Sequence, residues 1–385
     1  MLRVWTVSGK ELLAAPVEVL GDVWCLKLLL RDICDYPSCL LQLLHEGRVL
    51  DDDAPLGSSM YVQLVLLRWD GTNMKHCLAD DLCEACVCGE EKLVRMVLKT
   101  GFGITSFHEL EDTHSNPFCL ACGQGHREIV RLLMSYHPED WAAYGGLTDA
   151  SRNGHVEVVR LLLEADANLP LGLSMTRDEY GFALVGASEK GHSKVVALLL
   201  EALPVAAARE RQARLNWDLG WGFYYELALK MSCRKGFAEV AQLLLQARST
   251  ASSRAAALRE AARKCNAEVA HILLMAGVTR KVRERTLYKA AKRGHAAIAS
   301  ILVDAGVTAE GSAAALLKAA GRGHLEVVRV LSEPGITKMQ YLDRALCRAS
   351  ARGHDEVELL LRIARTRRKA RTGTLAKGLR RKCGK

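Results

Sequence analysis

A short motif, Gly-His followed by an apolar helical segment, recurs along most of this 385-residue chain. Its clear copies are GQGHREIVRLLM, RNGHVEVVRLLL, EKGHSKVVALLL, KRGHAAIASILV, GRGHLEVVRVL and ARGHDEVELLL, and VCGEEKLVRMVL, RKGFAEVAQLLL and RKCNAEVAHILL fit the same frame. The glycine, once replaced by cysteine, falls at positions 89, 125, 154, 191, 236, 265, 294, 323 and 353. The spacings lie between 29 and 45 residues. Such a period is typical of a helical solenoid, in which no single core exists.

Each copy predicts two helices joined by a turn. An Ala-rich segment such as KAAKRG makes the first helix, and its small side chains let neighbouring helices approach closely. Glycine then ends that helix in a left-handed conformation, which costs other residues roughly 1–2 kcal/mol. The second helix, as in HVEVVRLLLEA, carries an apolar face around Val158, Val159 and Leu162. One pair cannot bury that face, so about nine pairs must stack over residues 77–364.

These repeats resemble ankyrin repeats. The family's pattern is a Thr-Pro-Leu-His start, an Ala pair, Gly-His and a Val-Val-x-Leu-Leu-Leu helix, and NPFCLACGQGHREIVRLLM from Asn116 matches it closely. The resemblance implies an all-α solenoid whose first helices line a concave, protein-binding side. The last five units repeat every 29 or 30 residues, shorter than the family's period of about 33, and lack the Thr-Pro start. We therefore expect tight loops, without long β-fingers, in the second half.

Residues 1–70 form a separate domain with a different pattern. Two short strands flank Ser8-Gly9-Lys10, Asp22 precedes an amphipathic helix as its N-cap, and HEGRVL and YVQLVLL supply further strands. This order resembles the ubiquitin-like β-grasp, an α+β fold. Because the last strand runs into Arg68 and the repeats instead of a free Gly-Gly end, the domain is not a conjugated modifier.

The ubiquitin-like resemblance implies a binding patch on the sheet. The matching positions are Val7, Leu44, Gln63 and Val65. Period-two alternation turns the last three outward if Leu64 and Leu66 face the core. Either this patch binds a partner, or the first repeat covers it.

Thirteen cysteines, an odd number, with no signal peptide indicate reduced thiols in the cytosol or nucleus. Cys83, Cys86, Cys88, Cys119 and Cys122, followed by His126, have spacings compatible with zinc. Both clusters fall on Ala-rich first helices, where cysteine also serves as a small buried residue, and that interpretation is favoured. The Gly-His histidines are spaced by the repeat and cannot converge on one ion. No cofactor is expected.

Motifs of known catalytic sites are missing from the sequence. It contains no nucleophile elbow, no phosphate-binding Gly-rich loop and no His-Glu-x-x-His, and it has no stretch of 18 apolar residues that would span a membrane. We predict a non-enzymatic protein that binds other proteins.

Two segments of the array are candidate contact surfaces. One column of equivalent first-helix positions reads Glu260, Lys289, Lys318 and Arg348, which favours an acidic partner segment, although such residues also serve as solvent-exposed filler. A longer unit between Gly191 and Gly236 contains aromatic residues that either anchor a partner or fill the gap left by the longer loop. These candidates are Trp217, Trp221 and Tyr224.

The C-terminal segment 365–385 is strongly basic. From residue 362 onward there are eleven Lys or Arg and no acidic residue, which leaves a net charge of −2 (+9 minus 11) for residues 1–361. We expect a disordered tail that either only solubilises the chain or binds nucleic acid, an anionic surface or an import receptor. Its two basic clusters resemble a bipartite nuclear localisation signal, with candidate residues Arg367, Arg368, Lys369, Arg371, Arg380, Arg381 and Lys382.

Together these features predict an interaction scaffold in the cytoplasm, the nucleus or both. The repeats would bind a client protein, and the N-terminal domain would dock a second partner, by resemblance one of the ubiquitin pathway. The alternative is a nuclear protein that associates with nucleic acid through its basic tail. The sequence does not fix the oligomeric state.

Overall fold

The computed structural model describes residues 1–16, 20–57, 60–68, 75–102, 116–136, 145–169, 175–212, 221–333 and 335–382. The chain divides into two compact units. The first comprises Met1–Ala183 with Val205–Ala213, and the second comprises Leu184–Pro204 with Arg214–Lys385.

The first unit begins with a small mixed sheet. Its elements are β1 (Leu2–Thr6), β2 (Glu11–Ala15), α1 (Val23–Cys34), a 3-10 turn (Ser38–Leu40), β3 (Leu41–His45), β4 (Arg48–Val49) and β5 (Tyr61–Leu66). The strand order is β2-β1-β5-β3-β4, with β1 and β5 parallel and the other neighbours antiparallel. A five-stranded mixed sheet of this order is consistent with a β-grasp-like domain.

The core of this domain lies between α1 and one face of the sheet. Alternate strand residues such as Val4, Leu43 and Val62 are buried against Leu26 and Leu30 of the helix. The predicted helix start is confirmed, because the Asp22 side chain accepts a hydrogen bond of 2.8 Å from the Cys25 amide. Leu64 faces the core as predicted, but Leu66 does not: it lies at the strand end and is 53% exposed.

Eighteen helices follow in the described residues, and they succeed each other as nine pairs. They are α2 (Lys75–Cys88), α3 (Glu91–Lys99), α4 (Pro117–Gln124), α5 (Arg127–Tyr136), α6 (Gly146–Asn153), α7 (Val156–Asn168), α8 (Arg177–Lys190), α9 (Ser193–Gln212), α10 (Trp221–Lys235), α11 (Ala238–Ala247), α12 (Ala251–Lys264), α13 (Ala267–Met275), α14 (Arg280–Arg293), α15 (Ala296–Asp304), α16 (Ala309–Ala320), α17 (Leu325–Leu331), α18 (Met339–Ser350) and α19 (Asp355–Lys382). First helices pack on first helices, as α14 does on α16, and second helices on second helices, as α15 does on α17. Within each unit the array is therefore the predicted helical solenoid.

The turn that ends each first helix is also the contact point with the next repeat. All nine landmark residues have positive φ, for example 84° at Gly125 and 83° at Gly294. A Cβ at Gly125 would lie 2.4 Å from the His155 ring, and one at Gly294 would lie 2.8 Å from His324. Glycine is required here for two reasons, because the conformation is left-handed and because the next repeat's side chain occupies the space of a Cβ.

The same histidines hydrogen-bond back to the preceding repeat. Nε2 of His126 donates to the Val87 carbonyl at 3.0 Å, and Nε2 of His155 donates to the Gly123 carbonyl at 2.8 Å. In a weaker copy of the motif, Asn266 Nδ2 donates to the Cys233 carbonyl at 2.8 Å. A carbonyl near the end of the first helix would otherwise lack an intrahelical partner. The predicted turn and packing role of these histidines is therefore the one that the structure shows.

Cys265 shows what happens when the glycine is missing. Its φ of 64° is still left-handed, although an L residue is strained there. The histidine of the following repeat, His295, uses its other ring nitrogen, Nδ1, to reach the Ala262 carbonyl at 2.8 Å. That carbonyl lies three residues before Cys265, whereas His126 and His155 bond two residues before their glycines. Where cysteine replaces glycine at position 265, the next histidine thus bonds through a different ring nitrogen and to a different carbonyl.

Connections in the second unit are short, as predicted. α13 ends at Met275 and α14 begins at Arg280, and α15 ends at Asp304 and α16 begins at Ala309. Thr308 caps the start of α16, since its hydroxyl accepts a hydrogen bond of 3.1 Å from the Gly311 amide. No strand occurs in this unit within the described residues.

The sheet domain meets the first repeat through the end of α1 and the 3-10 turn. Lys99 Nζ lies 2.7 Å from Asp35 Oδ2, and Lys92 Nζ donates to the Asp32 carbonyl at 3.1 Å. Deeper in this junction, the Cys39 thiol hydrogen-bonds to Asp81 of α2. Burial raises the pKa of Asp81 above its ordinary value of 3.8, and its Oδ2 has no hydrogen-bond partner among the described residues.

Replacing Gly294 by Ala is expected to destabilise the second unit by about 2–4 kcal/mol. The left-handed conformation alone costs roughly 1–2 kcal/mol, and the new methyl group must also displace the His324 ring. The matched control is Gly277→Ala, because Gly277 has a similar φ of 88° but no atom within 4 Å of a Cβ. Urea unfolding followed by circular dichroism measures both variants. Equal losses would show that the histidine contact contributes nothing.

Asp81→Asn is expected to stabilise the chain more at pH 7.5 than near pH 4. A carboxyl group whose pKa is raised on folding stabilises the folded state at low pH and loses that contribution as pH rises from its ordinary value of 3.8 through its folded value. Asparagine removes this dependence and keeps an acceptor for Cys39. The measurement is the denaturant midpoint of each protein at both pH values.

Asp53→Asn, the same change at an exposed site of the sheet domain that does not act on Asp81, provides the control for this substitution. A gain from Asp81→Asn that is equal at both pH values would contradict the assignment of the effect to ionisation.

Candidate protein-interaction surfaces

The outer face of the sheet carries the residues predicted for the ubiquitin-like patch. Val7 is 66% exposed, Gln63 is exposed, and Leu44 and Val65 are half-buried. Leu44 and Gln63 face each other in the β3–β5 pairing. The structure therefore brings Gln63, Leu44 and Val65 together on one face, with Val7 at the end of β1.

Sequence reasoning missed Tyr61, which extends this surface. It is 65% exposed and, with Trp5, Val7 and Gln63, lines a shallow cavity of about 270 Å³ at the edge of the face. Period-two alternation from Gln63 would have identified it, since Tyr61 lies two residues earlier on the same strand. We call Val7, Leu44, Tyr61, Gln63 and Val65 the sheet patch.

Three exposed apolar side chains of α1 were also missed. Trp24, Leu29 and Ile33 of α1 are exposed. Trp24 lies opposite the buried Leu26, whereas Leu29 and Ile33 lie beside the buried stripe. The sequence signal was the presence of apolar residues around the whole of α1. A helix that buries one side needs apolar residues on that side alone.

Four of the five cysteines with zinc-compatible spacing are buried or partly buried, and Cys88 is exposed. Cys86 and Cys122 are buried among the helices, and burial raises the pKa of both thiols. Burial, with a hydrogen bond to Asp149, raises the pKa of Cys119 to about 12. Thiols with raised pKa values are poor sources of the thiolates that zinc requires. Among the described residues, no group of three or more His, Cys, Asp or Glu side chains is arranged to hold a metal ion.

A groove in the second unit collects basic side chains from successive first helices. Its volume is about 590 Å³. Its lining consists of Lys230, Ala256, Arg259, Glu260, Arg263, Lys289, Lys292, Arg293 and Arg322. Seven of these residues are basic and one is acidic. We call this the basic groove.

The predicted column of equivalent positions is only partly in this groove. Glu260 and Lys289 line it, and the Glu260 carboxylate binds Arg263 at 2.7 Å. Lys318 lies instead with its Nζ 5.9 Å from the centre of the Tyr288 ring, and the stem of Arg348 lies against Gly321. The other basic residues of the groove lie either one or two residues or six residues before a landmark turn, which is the pattern that could have identified them.

The aromatic residues proposed as exposed anchors are mostly buried. Trp221 is 3% and Tyr224 is 7% exposed, because both lie on the inward face of α10 together with Ala228. The prediction that they anchor a partner is therefore corrected: they pack in the core. Phe223 is the exposed aromatic residue of this helix, and Trp217 lies outside the described residues.

The basic tail differs from its predicted disorder, since α19 continues as a helix to Lys382. Two of its basic residues bind the last repeats: Arg365 Nε lies 2.8 Å from Asp343 Oδ1, and the Arg368 guanidinium donates to the carbonyls of Ser332, Glu333 and Thr337. These carbonyls follow the end of α17, where backbone oxygens need partners.

The other tail candidates have different settings. Arg367 and Lys369 are exposed on α19. The side chains of Arg371, Arg380, Arg381 and Lys382 lie outside the described part of the structure.

Arg368→Lys is expected to lower the stability of the C-terminal repeats by roughly 1–3 kcal/mol, because an ammonium group cannot span three carbonyls as the planar guanidinium does. Arg367→Lys, at the exposed neighbouring position, is the control and should be neutral. Hydrogen exchange of the amides in α17 and α19 measures the difference. Equal exchange in the two variants would mean that Arg368 does not hold the helix in place.

Within the described residues, no helix combines the length and apolarity needed to cross a membrane. A family model of ankyrin repeats, in three copies, matches residues 82–171. The solved human ASB11 ankyrin repeat domain is similar over 52% of this chain and 85% of its own length, with 20% sequence identity and a TM-score of 0.36. No curated protein matches the chain. The match to ankyrin repeats over residues 82–171 thus falls within a helical array that follows a small, β-grasp-like N-terminal domain.

Proposed function

We propose that this protein is a non-enzymatic adaptor that holds two protein partners at once. Ankyrin repeats indicate a role in protein–protein interaction. The repeat array would bind a client protein, and the N-terminal domain would dock a second partner. The ubiquitin-like pattern of the N-terminal sequence supports a component of the ubiquitin pathway as that partner.

The exposure of the sheet patch is the observation that carries this proposal. The first repeat contacts Asp32, Asp35 and Cys39, at the end of α1 and the 3-10 turn. Val7 and Tyr61, on the outer face of the sheet, are about two-thirds exposed. An exposed apolar surface beside polar neighbours such as Gln63 is typical of a protein-binding site. Of the two alternatives left open by the sequence, a partner surface is the better supported.

The chemistry of the thiols supports a reducing compartment. The twelve cysteines of the described residues are unpaired, which fits a location in the cytoplasm, the nucleus or both. The alternative function, nucleic-acid association through the tail, has less support because Arg365 and Arg368 bind the final repeats.

Photo-crosslinking from two positions of the full-length chain tests the proposal. A benzophenone amino acid replaces Val7 in one variant and Lys289 in another, and the crosslinked proteins are identified by mass spectrometry. We expect different partners from the two positions, with ubiquitin-pathway components only from position 7. A second change, Leu44→Glu, should remove the position 7 partner and leave the position 289 partner.

The same benzophenone replacement at Lys281, an exposed residue of α14, serves as the background control. An identical set of proteins from positions 7 and 289 would argue against two docking surfaces. The absence of a specific crosslink from both positions would contradict the adaptor function itself.

A further inference from the structure

We propose that the basic groove binds a carboxylate-rich, extended polypeptide segment of the client protein. This inference rests on the proposed adaptor function and specifies the chemistry that the array recognises. The groove spans α10, α12 and α14 and reaches Arg322 after α16, so it crosses four successive repeats. Its lining carries seven basic side chains and one acidic side chain, a net charge of +6.

Helix ends explain only part of this charge. Arg263, Lys292 and Arg293 lie in the last turns of their helices, where a cation stabilises the negative end of the helix dipole. Lys230 and Arg259 lie five residues before their helix ends, beyond the last turn. The dipole effect has faded there, so the fold itself does not require a positive charge at these sites.

The charges in the groove are not neutralised from within. Glu260 is the acidic residue of the lining, and Arg263 already occupies its carboxylate at 2.7 Å. Among the described residues, Lys230, Lys289 and Lys292 have no acidic partner within ion-pair distance. Several unpaired cations close together raise the local potential and attract a polyanion. Arginine side chains add paired N–H groups that match carboxylates.

The composition of the lining favours a polypeptide over a nucleic acid. No aromatic side chain is among the lining residues of the described chain, so bases have no surface on which to stack. Glu260 and its partner Arg263 interrupt the unpaired cations of the lining; a polypeptide can place an uncharged residue opposite this pair, whereas a nucleic acid carries a phosphate at every step. Acidic side chains spaced along an extended segment fit this arrangement.

Fluorescence anisotropy with a labelled ten-residue glutamate peptide tests the inference. Glutamine replaces the six basic residues from Arg371 to Lys385 in every full-length protein used, so that this part of the tail does not bind the probe. We expect the glutamate peptide to bind at least ten-fold more tightly than a ten-residue glutamine peptide. The double variant Arg259→Glu, Lys289→Glu should weaken that binding by about ten-fold or more.

The matched control is Lys281→Glu, Arg285→Glu, which makes the same change in net charge at exposed positions of α14 that do not line the groove. Equal weakening by the two double variants would overturn the inference, as would equal binding of the two peptides. Tighter binding of a ten-nucleotide oligothymidylate would assign the groove to nucleic acid instead. If these tests fail while crosslinking from position 289 still captures a specific protein, the acidic ligand is wrong and the adaptor function stands.

Discussion

The contact between a left-handed turn and the side chain of the next repeat is the interaction on which the array depends. At Gly125 and Gly294 the backbone leaves just enough room for the ring of His155 or His324. The ring then hydrogen-bonds to a carbonyl near the end of the preceding first helix. The glycine therefore forms the turn, and the histidine of the next repeat joins the two repeats. The close approach of the ring and its hydrogen bond occur at the same point.

This arrangement explains why the motif tolerates some changes and not others. Asn266 replaces histidine and still donates to the preceding carbonyls, because an amide N–H reaches them as well as a ring N–H does. Phe237 replaces histidine and keeps only the packing against Gly191, where a Cβ would lie 2.6 Å from its ring. Cys265 keeps the left-handed turn, and the next histidine bonds through its other nitrogen. Packing is thus common to these variants, while the hydrogen bond adapts.

The proposed functions follow from surfaces that this stacking creates or leaves free. Successive first helices align lysines and arginines from different repeats, although these residues are about 30 positions apart in the chain. In the N-terminal domain, the first repeat contacts Asp32 and Asp35 at the end of α1, and the sheet patch stays exposed. Both surfaces are extended and shallow, which suits polypeptide partners.

The sequence by itself determined the architecture: the Gly-His period, the apolar second helices and the order of strands in residues 1–66 follow from local periodicity and turn chemistry. It also predicted Gln63 at the surface, since alternation along a strand is local. Only the tertiary structure decided that Trp221 and Tyr224 are buried, that Arg368 holds the last helix, and which cations share the basic groove. Those properties depend on how one helix rotates against its neighbours, and repeat spacing does not encode that rotation.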